Sequence, residues 1–305
     1  MKNRASVEFY DRKTGVLQTE KIFGEGALRW VYETHLGQIA LRLLIRRALF
    51  SKAYGALMSR PSSRNKIAPF IEKYGIDASE FELPPEKFSS FNDFFSRKLK
   101  ASARPIAGGD NVAILPADGR HLAFQRISAE TRIFAKGQGF DLAAFVGGND
   151  VAKRYAGGAL VCTRLCPTDY HRFHFPVAGT PSEARKIFGA LNSVNPIALT
   201  KKISMLWENK RIVVEIASPR FGNVLMVIVG ATNVGTIVPV FSPHIAAEKG
   251  AELGYFRFGG SFVATIFEPG KIALAEDLVA NTARGFETFA KMGDILGTAT
   301  TNPTR

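Results

Sequence analysis

Short runs of apolar and β-branched residues, separated by Gly, Pro and Asn, fill the chain from Val112 onward. Valine, isoleucine, threonine and phenylalanine suit a pleated, half-buried surface, and short runs bounded by turn residues are typical of strands. The series predicts an α+β fold with a β-rich core of sandwich or barrel-like form. The clearest predicted strands cover residues 159–163, 212–216, 224–229 and 262–267.

The region before this core has a helical pattern. No proline occurs between Leu28 and Met58, and polar residues recur on one stripe at helical spacing, while apolar residues occupy the other faces. We therefore predict N-terminal amphipathic helices in a helical region, residues 1–100, followed by a β-rich core at 101–305. The stripe consists of His35, Gln38, Arg42 and Arg46, and the apolar residues are Leu36, Ile39, Leu43, Leu44, Leu49 and Phe50.

Arginines interrupt the apolar runs of this helical region. Arg42 and the pair Arg46–Arg47 come too early for the roughly 20 apolar residues that a membrane-spanning helix needs. An amphipathic helix that lies in a membrane interface, with its arginines among anionic headgroups, fits the pattern better. An ordinary domain helix with a solvated basic edge is the alternative.

The charge balance indicates an anionic partner. The 305 residues include 40 basic and 27 acidic ones, a net charge of +13, and no acid occurs between Glu33 and Glu72. We predict a membrane surface rather than nucleic acid, because no nucleic-acid recognition module accompanies the basic residues. The first residues carry no apolar run of the secretory kind. The predicted location is therefore peripheral, on the cytoplasmic face of the cell membrane, or of the inner membrane in a bacterium.

The tripeptide Gly259-Gly260-Ser261 stands immediately before the last predicted strand, so Ser261 is expected to open that strand. Glycines adopt backbone conformations that are closed to other residues, which allows a carbonyl to turn towards a neighbouring hydroxyl. A serine in this position can attack the carbonyl of Gly260 and break its own chain. Alone, Gly-Gly-Ser is typical of a turn, so the interpretation depends on other residues.

Two further segments contain the groups that activate a serine. Residues 167–176 include His171 and His174, and Asp118 lies in a Pro-Ala-Asp-Gly turn. In isolation the histidines would suggest half a metal site, but no Cys, Asp or Glu cluster nearby completes a ligand set, and Asp118 would be a turn residue. Taken with Ser261, they offer a base that takes the hydroxyl proton and a carboxylate that fixes the tautomer of the base.

Together these motifs resemble the phosphatidylserine decarboxylase family. The resemblance rests on Pro-Thr-Asp-Tyr-His-Arg-Phe-His-Phe-Pro at 167–176, Pro-Ala-Asp-Gly at 116–119 and the Gly-Gly-Ser element, and it covers nearly the whole chain. The opening segments at 11–15 and 20–25 are similar to the variant whose cleavage motif is Gly-Gly-Ser rather than Leu-Gly-Ser. Other stretches similar to the family lie at 91–99, 136–137, 193–196 and 233–235.

The resemblance implies a proenzyme that cleaves itself between Gly260 and Ser261. His174, backed by Asp118, would deprotonate Ser261, which would attack the Gly260 carbonyl and form an ester. Elimination at Ser261 would release the Gly260 carboxylate, and hydrolysis of the enamine would leave a pyruvoyl group at the start of the small subunit. This covalent cofactor implies decarboxylation of phosphatidylserine to phosphatidylethanolamine, with His171 handling the substrate carboxylate or reprotonating the product.

Two other functions stay open at this point. A pyruvoyl enzyme of this kind could act on a free amino acid, although the basic N-terminal region argues for a lipid. Alternatively, the chain is an uncleaved serine hydrolase or lipid-binding module, although a Gly-x-Ser-x-Gly elbow is missing because the residue two positions after Ser261 is Val263. The predicted partners are phosphatidylserine, an anionic membrane and the two subunits of one precursor, and a homodimer is left open. Cys162 and Cys166 are predicted to be buried reduced thiols.

Overall fold

The computed structural model describes residues 7–22, 25–40, 48–128, 131, 133, 139–231, 237–258 and 261–300. Some features named above lie outside these residues: Arg42, Arg46, Arg47, Leu43, Leu44, Gly259, Gly260, and the family-like stretches at 136–137 and 233–235.

Among the described residues, groups of strands and groups of helices follow one another along the chain. The strands are β1 (Glu8–Asp11), β2 (Val16–Thr19), β3 (Val112–Ile114), β4 (Gly119–Phe124), β5 (Ala159–Leu165), β6 (Arg172–His174), β7 (Thr180–Pro181), β8 (Arg185–Ile187), β9 (Arg211–Ser218), β10 (Gly222–Gly230), β11 (Ile237–Pro239), β12 (Glu252–Phe256), β13 (Ser261–Phe267), β14 (Ile272–Leu274), β15 (Glu287–Ala290) and β16 (Ile295–Ala299). The α-helices are α1 (Glu25–Glu33), α2 (His35–Ala40), α3 (Ala48–Met58), α4 (Ile67–Tyr74), α5 (Phe91–Phe95), α6 (Leu142–Val146), α7 (Asn149–Tyr155), α8 (Pro196–Leu199), α9 (Met205–Glu208) and α10 (Glu276–Ala283).

A long sheet forms the centre of the molecule. Its strands follow the order β2-β1-β15-β4-β5-β13-β10-β9-β7, and β8 also pairs with β9. β1 and β15 are parallel, whereas the other neighbours in this sheet are antiparallel. The four predicted strands are confirmed as β5, β9, β10 and β13. β13 begins at Ser261, as the sequence predicts.

Both faces of the central strands are buried, which explains why their sequences are almost continuously apolar. Along β13, Phe262, Ala264 and Ile266 enter one hydrophobic core, while Val263 and Phe267 enter the other. Residues of α1, α6, α8 and α9 complete the first core. The second core is completed by two three-stranded sheets, β11-β12-β6 and β14-β16-β3. This layered arrangement confirms the predicted β-rich α+β class.

The N-terminal helical pattern is interrupted at Thr34. The Thr34 hydroxyl accepts a hydrogen bond from the Gly37 N–H at 3.0 Å and donates one to the Trp30 carbonyl at 2.7 Å. It therefore caps α2, and the helix that the sequence suggests as continuous divides into α1 and α2. Trp30 and Leu36 remain 47% and 71% exposed. Within the described ranges, no helix has the length and apolar character needed to cross a bilayer.

The first described strands join the central sheet rather than a separate unit. β1 and β2 form a hairpin whose tight turn ends at Gly15, where the backbone has a φ of 73°. Further along, Phe258 packs edge-on against Phe91 and Phe95 of α5, at ring-centroid distances of 5.1 and 4.9 Å. The division into regions 1–100 and 101–305 stays a prediction.

Candidate active site

Ser261 is completely buried at the first position of β13. It lies between Leu165 of β5 and Gly230 of β10. Its hydroxyl oxygen has no hydrogen-bond partner among the described residues. Burying an unpaired hydroxyl costs about 1–3 kcal/mol, so such a group in a native protein needs a reason other than stability. A reactive role for the Oγ atom supplies that reason.

His174, on β6, is held by hydrogen bonds at both ring nitrogens. Its Nδ1 lies 2.9 Å from the carbonyl oxygen of Gly250, and its Nε2 lies 3.1 Å from the hydroxyl of Tyr170. A carbonyl only accepts, so Nδ1 carries the proton in the neutral ring, and Nε2 accepts from Tyr170. Burial lowers the pKa of His174, although the Gly250 bond and nearby carboxylates oppose this. His174 is therefore a neutral base near pH 7.

Asp118 is buried just before β4 and is already paired with a cation. Arg104 donates to its two oxygens from Nε at 2.8 Å and from Nη2 at 2.6 Å, and the Met292 N–H donates to Oδ1 at 2.8 Å. This fork geometry is the strongest pairing available to a carboxylate. Asp118 is therefore one partner of a buried ion pair with Arg104.

The structure brings Asp118 and His174 close together, but not into direct contact. The His174 N–H bonds to the carbonyl of Pro116, two residues before Asp118, and the charge of Asp118 acts on the imidazole. However, the ring nitrogens are occupied by Gly250 and Tyr170, and the Ser261 hydroxyl is bonded to neither histidine. The described residues therefore show no continuous series of hydrogen bonds from Asp118 through His174 to Ser261, and Arg104 binds the Asp118 carboxylate.

His171 is fully buried in the turn between β5 and β6. Its Nδ1 lies 2.9 Å from the carbonyl oxygen of Asp169, so that nitrogen is the proton donor. The ring packs on Phe95 at a centroid distance of 3.8 Å, and the His171 carbonyl accepts from the N–H of Phe256 at 2.9 Å. Phe256 ends β12, five positions before Ser261 in the sequence. The strand that leads to the Gly-Gly-Ser element is therefore anchored on His171.

Sequence reasoning missed two residues that contact the predicted site. Tyr170 lies within residues 167–176, the histidine motif. Its position between Asp169 and His171 could have indicated that it contacts the site. Arg104 gives no such signal, because it stands in an irregular segment 14 residues before Asp118. Only the general requirement that a buried carboxylate needs a cation could have suggested it.

Comparison with known proteins covers all of these residues. Residues 91–298 match the family model described as Phosphatidylserine decarboxylase. The chain belongs to the phosphatidylserine decarboxylase family. Phosphatidylserine decarboxylase proenzyme from Fusobacterium nucleatum is 42% identical over 295 residues, which cover 97% of this chain and 98% of that protein. Proteins of the same name from Clostridium novyi and Chlamydia pneumoniae are 42% identical over 292 and 290 residues, or 96% and 95% of this chain and 99% and 96% of theirs.

Family membership confirms the resemblance that the sequence motifs indicate. In phosphatidylserine decarboxylases of the pyruvoyl-dependent kind, a serine of the chain itself is converted into the cofactor. Ser261 is compatible with that requirement, because its hydroxyl is buried at the start of a strand and has no hydrogen-bond partner in the described part of the chain. The individual roles of Asp118, His171, His174 and Ser261 stay predictions.

Proposed function

We propose that this chain decarboxylates phosphatidylserine to phosphatidylethanolamine with a pyruvoyl group that it makes from Ser261. The family supports the reaction, and the assignment of the nucleophile rests on the buried Ser261 hydroxyl, which no described residue hydrogen-bonds. Cleavage between Gly260 and Ser261 would divide the precursor into a large and a small subunit. Because β13 is paired with β5 and β10, the small subunit would stay attached to the sheet after cleavage.

His174 is the proposed base for self-cleavage. It would receive the Ser261 proton at Nε2, the nitrogen that bonds to the Tyr170 hydroxyl in the resting chain. The hydrogen bond from Nδ1 to the Gly250 carbonyl keeps the ring proton on Nδ1, so that Nε2 stays the basic nitrogen. The charge of Asp118 would stabilise the resulting imidazolium electrostatically rather than through a direct hydrogen bond.

His171 is the proposed residue for handling the substrate. With Nδ1 committed to the Asp169 carbonyl, Nε2 is the nitrogen that would bind the carboxylate or return a proton to the product. Once formed, the pyruvoyl group supplies the electron sink for the loss of carbon dioxide. The task of this chain is to place His171 and to exclude water, and the packing of the ring against Phe95 serves both purposes.

Separate substitution of the two histidines tests this division of roles. His174→Ala is expected to leave the precursor uncut, because a serine hydroxyl is a poor nucleophile without a base. His171→Ala is expected to mature at least in part, but to release carbon dioxide from phosphatidylserine about 10²–10⁴-fold more slowly. Intact-mass spectrometry gives the cleaved fraction, and carbon dioxide release is measured on the cleaved protein.

His244→Asn provides the control, since His244 lies on an exposed loop at a φ of 63°, which asparagine tolerates. This variant should cleave and turn over like the wild type. If both His171→Ala and His174→Ala fail equally to self-cleave, the proposed division of roles is wrong.

We propose that the chain attaches peripherally to an anionic membrane, on its cytoplasmic face. The charge of +13 and the exposed Trp30 and Leu36 on α1 and α2 support this. The cytoplasmic leaflet carries the anionic lipids that attract basic segments. A homodimer is compatible with this attachment.

Binding to lipid vesicles tests the attachment. Arg42, Arg46 and Arg47, all changed to Glu, should lower the partition onto phosphatidylglycerol vesicles by about two orders of magnitude, at about 1 kcal/mol per engaged basic residue. Cosedimentation at several salt concentrations measures this, and self-cleavage should be unaffected. The triple variant of Lys87, Lys98 and Arg220 to Glu changes the net charge equally at exposed positions outside the segment that contains Arg42, Arg46 and Arg47. Equal loss in both variants would show that net charge, and not this segment, drives binding.

A further inference from the structure

A buried ionic cluster lies beside the candidate site and has no part in the chemistry proposed above. It consists of Arg120 on β4, Arg164 on β5, and the carboxylates of Glu20, Asp169 and Glu287. All five side chains are less than 10% exposed. The carboxylates come from three distant parts of the sequence: the segment after β2, the histidine motif and β15.

The two arginines of the buried ionic cluster face each other directly across β4 and β5. Like charges in this register repel, so the pair requires compensation. Arg164 is bound in fork geometry by Glu287, at 2.9 and 2.6 Å, and by Glu20, at 3.2 and 2.6 Å. Arg120 donates a hydrogen bond to Asp169 and lies 3.5 Å from Glu20. Its guanidinium is about 5 Å from the rings of Phe9 and Phe289.

Asp169 connects the cluster to the histidine motif through both its side chain and its main chain. Its Oδ2 accepts from Arg120 Nη1 at 2.5 Å and from the Cys166 N–H at 2.6 Å. Its carbonyl oxygen accepts from His171 Nδ1 at 2.9 Å and from Arg97 Nη2 at 3.3 Å. A residue fixed at its carboxylate has little freedom to rotate the adjoining peptide plane. The orientation of the carbonyl, and with it the imidazole, therefore depends on the Arg120 pair.

We propose that Asp169, held by Arg120, is a positioning residue that orients His171 and fixes its tautomer for decarboxylation. The proposal rests on the role proposed for His171. Among the described residues Asp169 makes no hydrogen bond to the Ser261 hydroxyl; it acts by directing its own carbonyl at Nδ1, so that Nε2 is the basic nitrogen of the ring. The ring of Phe95 packs against the His171 imidazole and restricts its rotation.

A double-mutant cycle on the cleaved enzyme tests this proposal. Asp169→Asn should lower kcat about tenfold or more and change KM less than about threefold, because the positioned group acts in the chemical step. In the His171→Ala background, the same substitution should change kcat less than about twofold, since there is no imidazole left to orient. Carbon dioxide release from phosphatidylserine in mixed micelles gives both constants.

Glu287→Gln is the matched control. It removes the same charge from the same cluster, but among the described residues the Glu287 carboxylate accepts its hydrogen bonds from Arg164 and from no residue of the turn that contains His171. Its kcat should remain at the wild-type level even if its melting temperature falls. Should Asp169→Asn not fold, Arg120→Lys keeps the charge without the planar guanidinium that donates to Asp169 Oδ2 and should give a smaller kcat loss with the same non-additivity.

The outcomes distinguish two kinds of failure. If His171→Ala reduces kcat but Asp169→Asn reduces it by the same factor in both backgrounds, the effect of Asp169 is structural and the positioning proposal is overturned. If His171→Ala turns over like the wild type, the role proposed for His171 fails first, and the positioning proposal falls with it.

Discussion

Replacement of Ser261 by alanine is expected to leave one uncut chain of 305 residues without decarboxylase activity, while the wild type separates into residues 1–260 and 261–305. Alanine has no hydroxyl with which to attack the Gly260 carbonyl. Because the wild-type Oγ atom is buried without a partner, its removal should also stabilise the uncut fold, by about 1 kcal/mol. Intact-mass spectrometry and urea denaturation measure the two effects.

The chemistry of the new terminus distinguishes the proposed route from simple hydrolysis. Hydrolysis would leave a serine with a free amine, open to sequential degradation, whereas elimination leaves a ketone that resists degradation and reacts with borohydride or a hydrazine. Thr265→Val, also buried on β13, is the control and should cleave normally, because the Thr265 hydroxyl donates its hydrogen bond to the sulfur of Met226 rather than to a residue of the candidate site. A wild-type chain that stays full length and still releases carbon dioxide from phosphatidylserine would refute the pyruvoyl assignment.

The sequence predicts the central strands well because strands that are buried on both faces need an almost continuous run of apolar residues. β5, β9, β10 and β13 are buried on both faces, so each reads as a short apolar run between turn residues. The division of the N-terminal helix at Thr34 was not predicted, since a threonine within an apolar pattern is ordinary until its hydroxyl is seen to cap α2.

Features that depend on distant segments could not be predicted in this way. β1 pairs in parallel with β15, more than 270 positions away, and each of the two strands is only four residues long. The same holds for the candidate site: the motifs indicate Asp118 and His174, but the partners that bind them, Arg104 and Gly250, stand in unremarkable sequence. Local patterns therefore indicate the candidate reactive side chains. Apart from Tyr170, the hydrogen-bond partners of these side chains lie in segments without a recognisable pattern.

The buried ionic cluster leads to the second large effect, on stability. Arg164→Met, made in the uncut Ser261→Ala background, is expected to lower the free energy of unfolding by about 3–5 kcal/mol. Arg164 is the only cation that hydrogen-bonds Glu287 among the described residues, and it also binds Glu20. Burial alone would raise the pKa of Glu20, but the guanidiniums of Arg164 and Arg120 lower it to about 2. Loss of Arg164 therefore leaves buried carboxylates without their main counter-charge.

Urea denaturation measures the change in the free energy of unfolding. The control variant removes a cation from an exposed ion pair instead of a buried one. Arg154→Met removes a cation from Glu215 at a pair whose side chains are 47% and 28% exposed, so its cost should stay below about 1 kcal/mol.

The stabilisation from Glu20 should be complete above about pH 5 and decline as the pH falls towards its folded pKa of about 2, because an unfolded glutamate titrates near 4.3. Arg164→Met should therefore cost less in acid than at pH 7. Equal losses in the two variants, or a loss independent of pH, would mean that the packing of Arg164 and not its charge stabilises the junction between β5, β15 and the segment after β2.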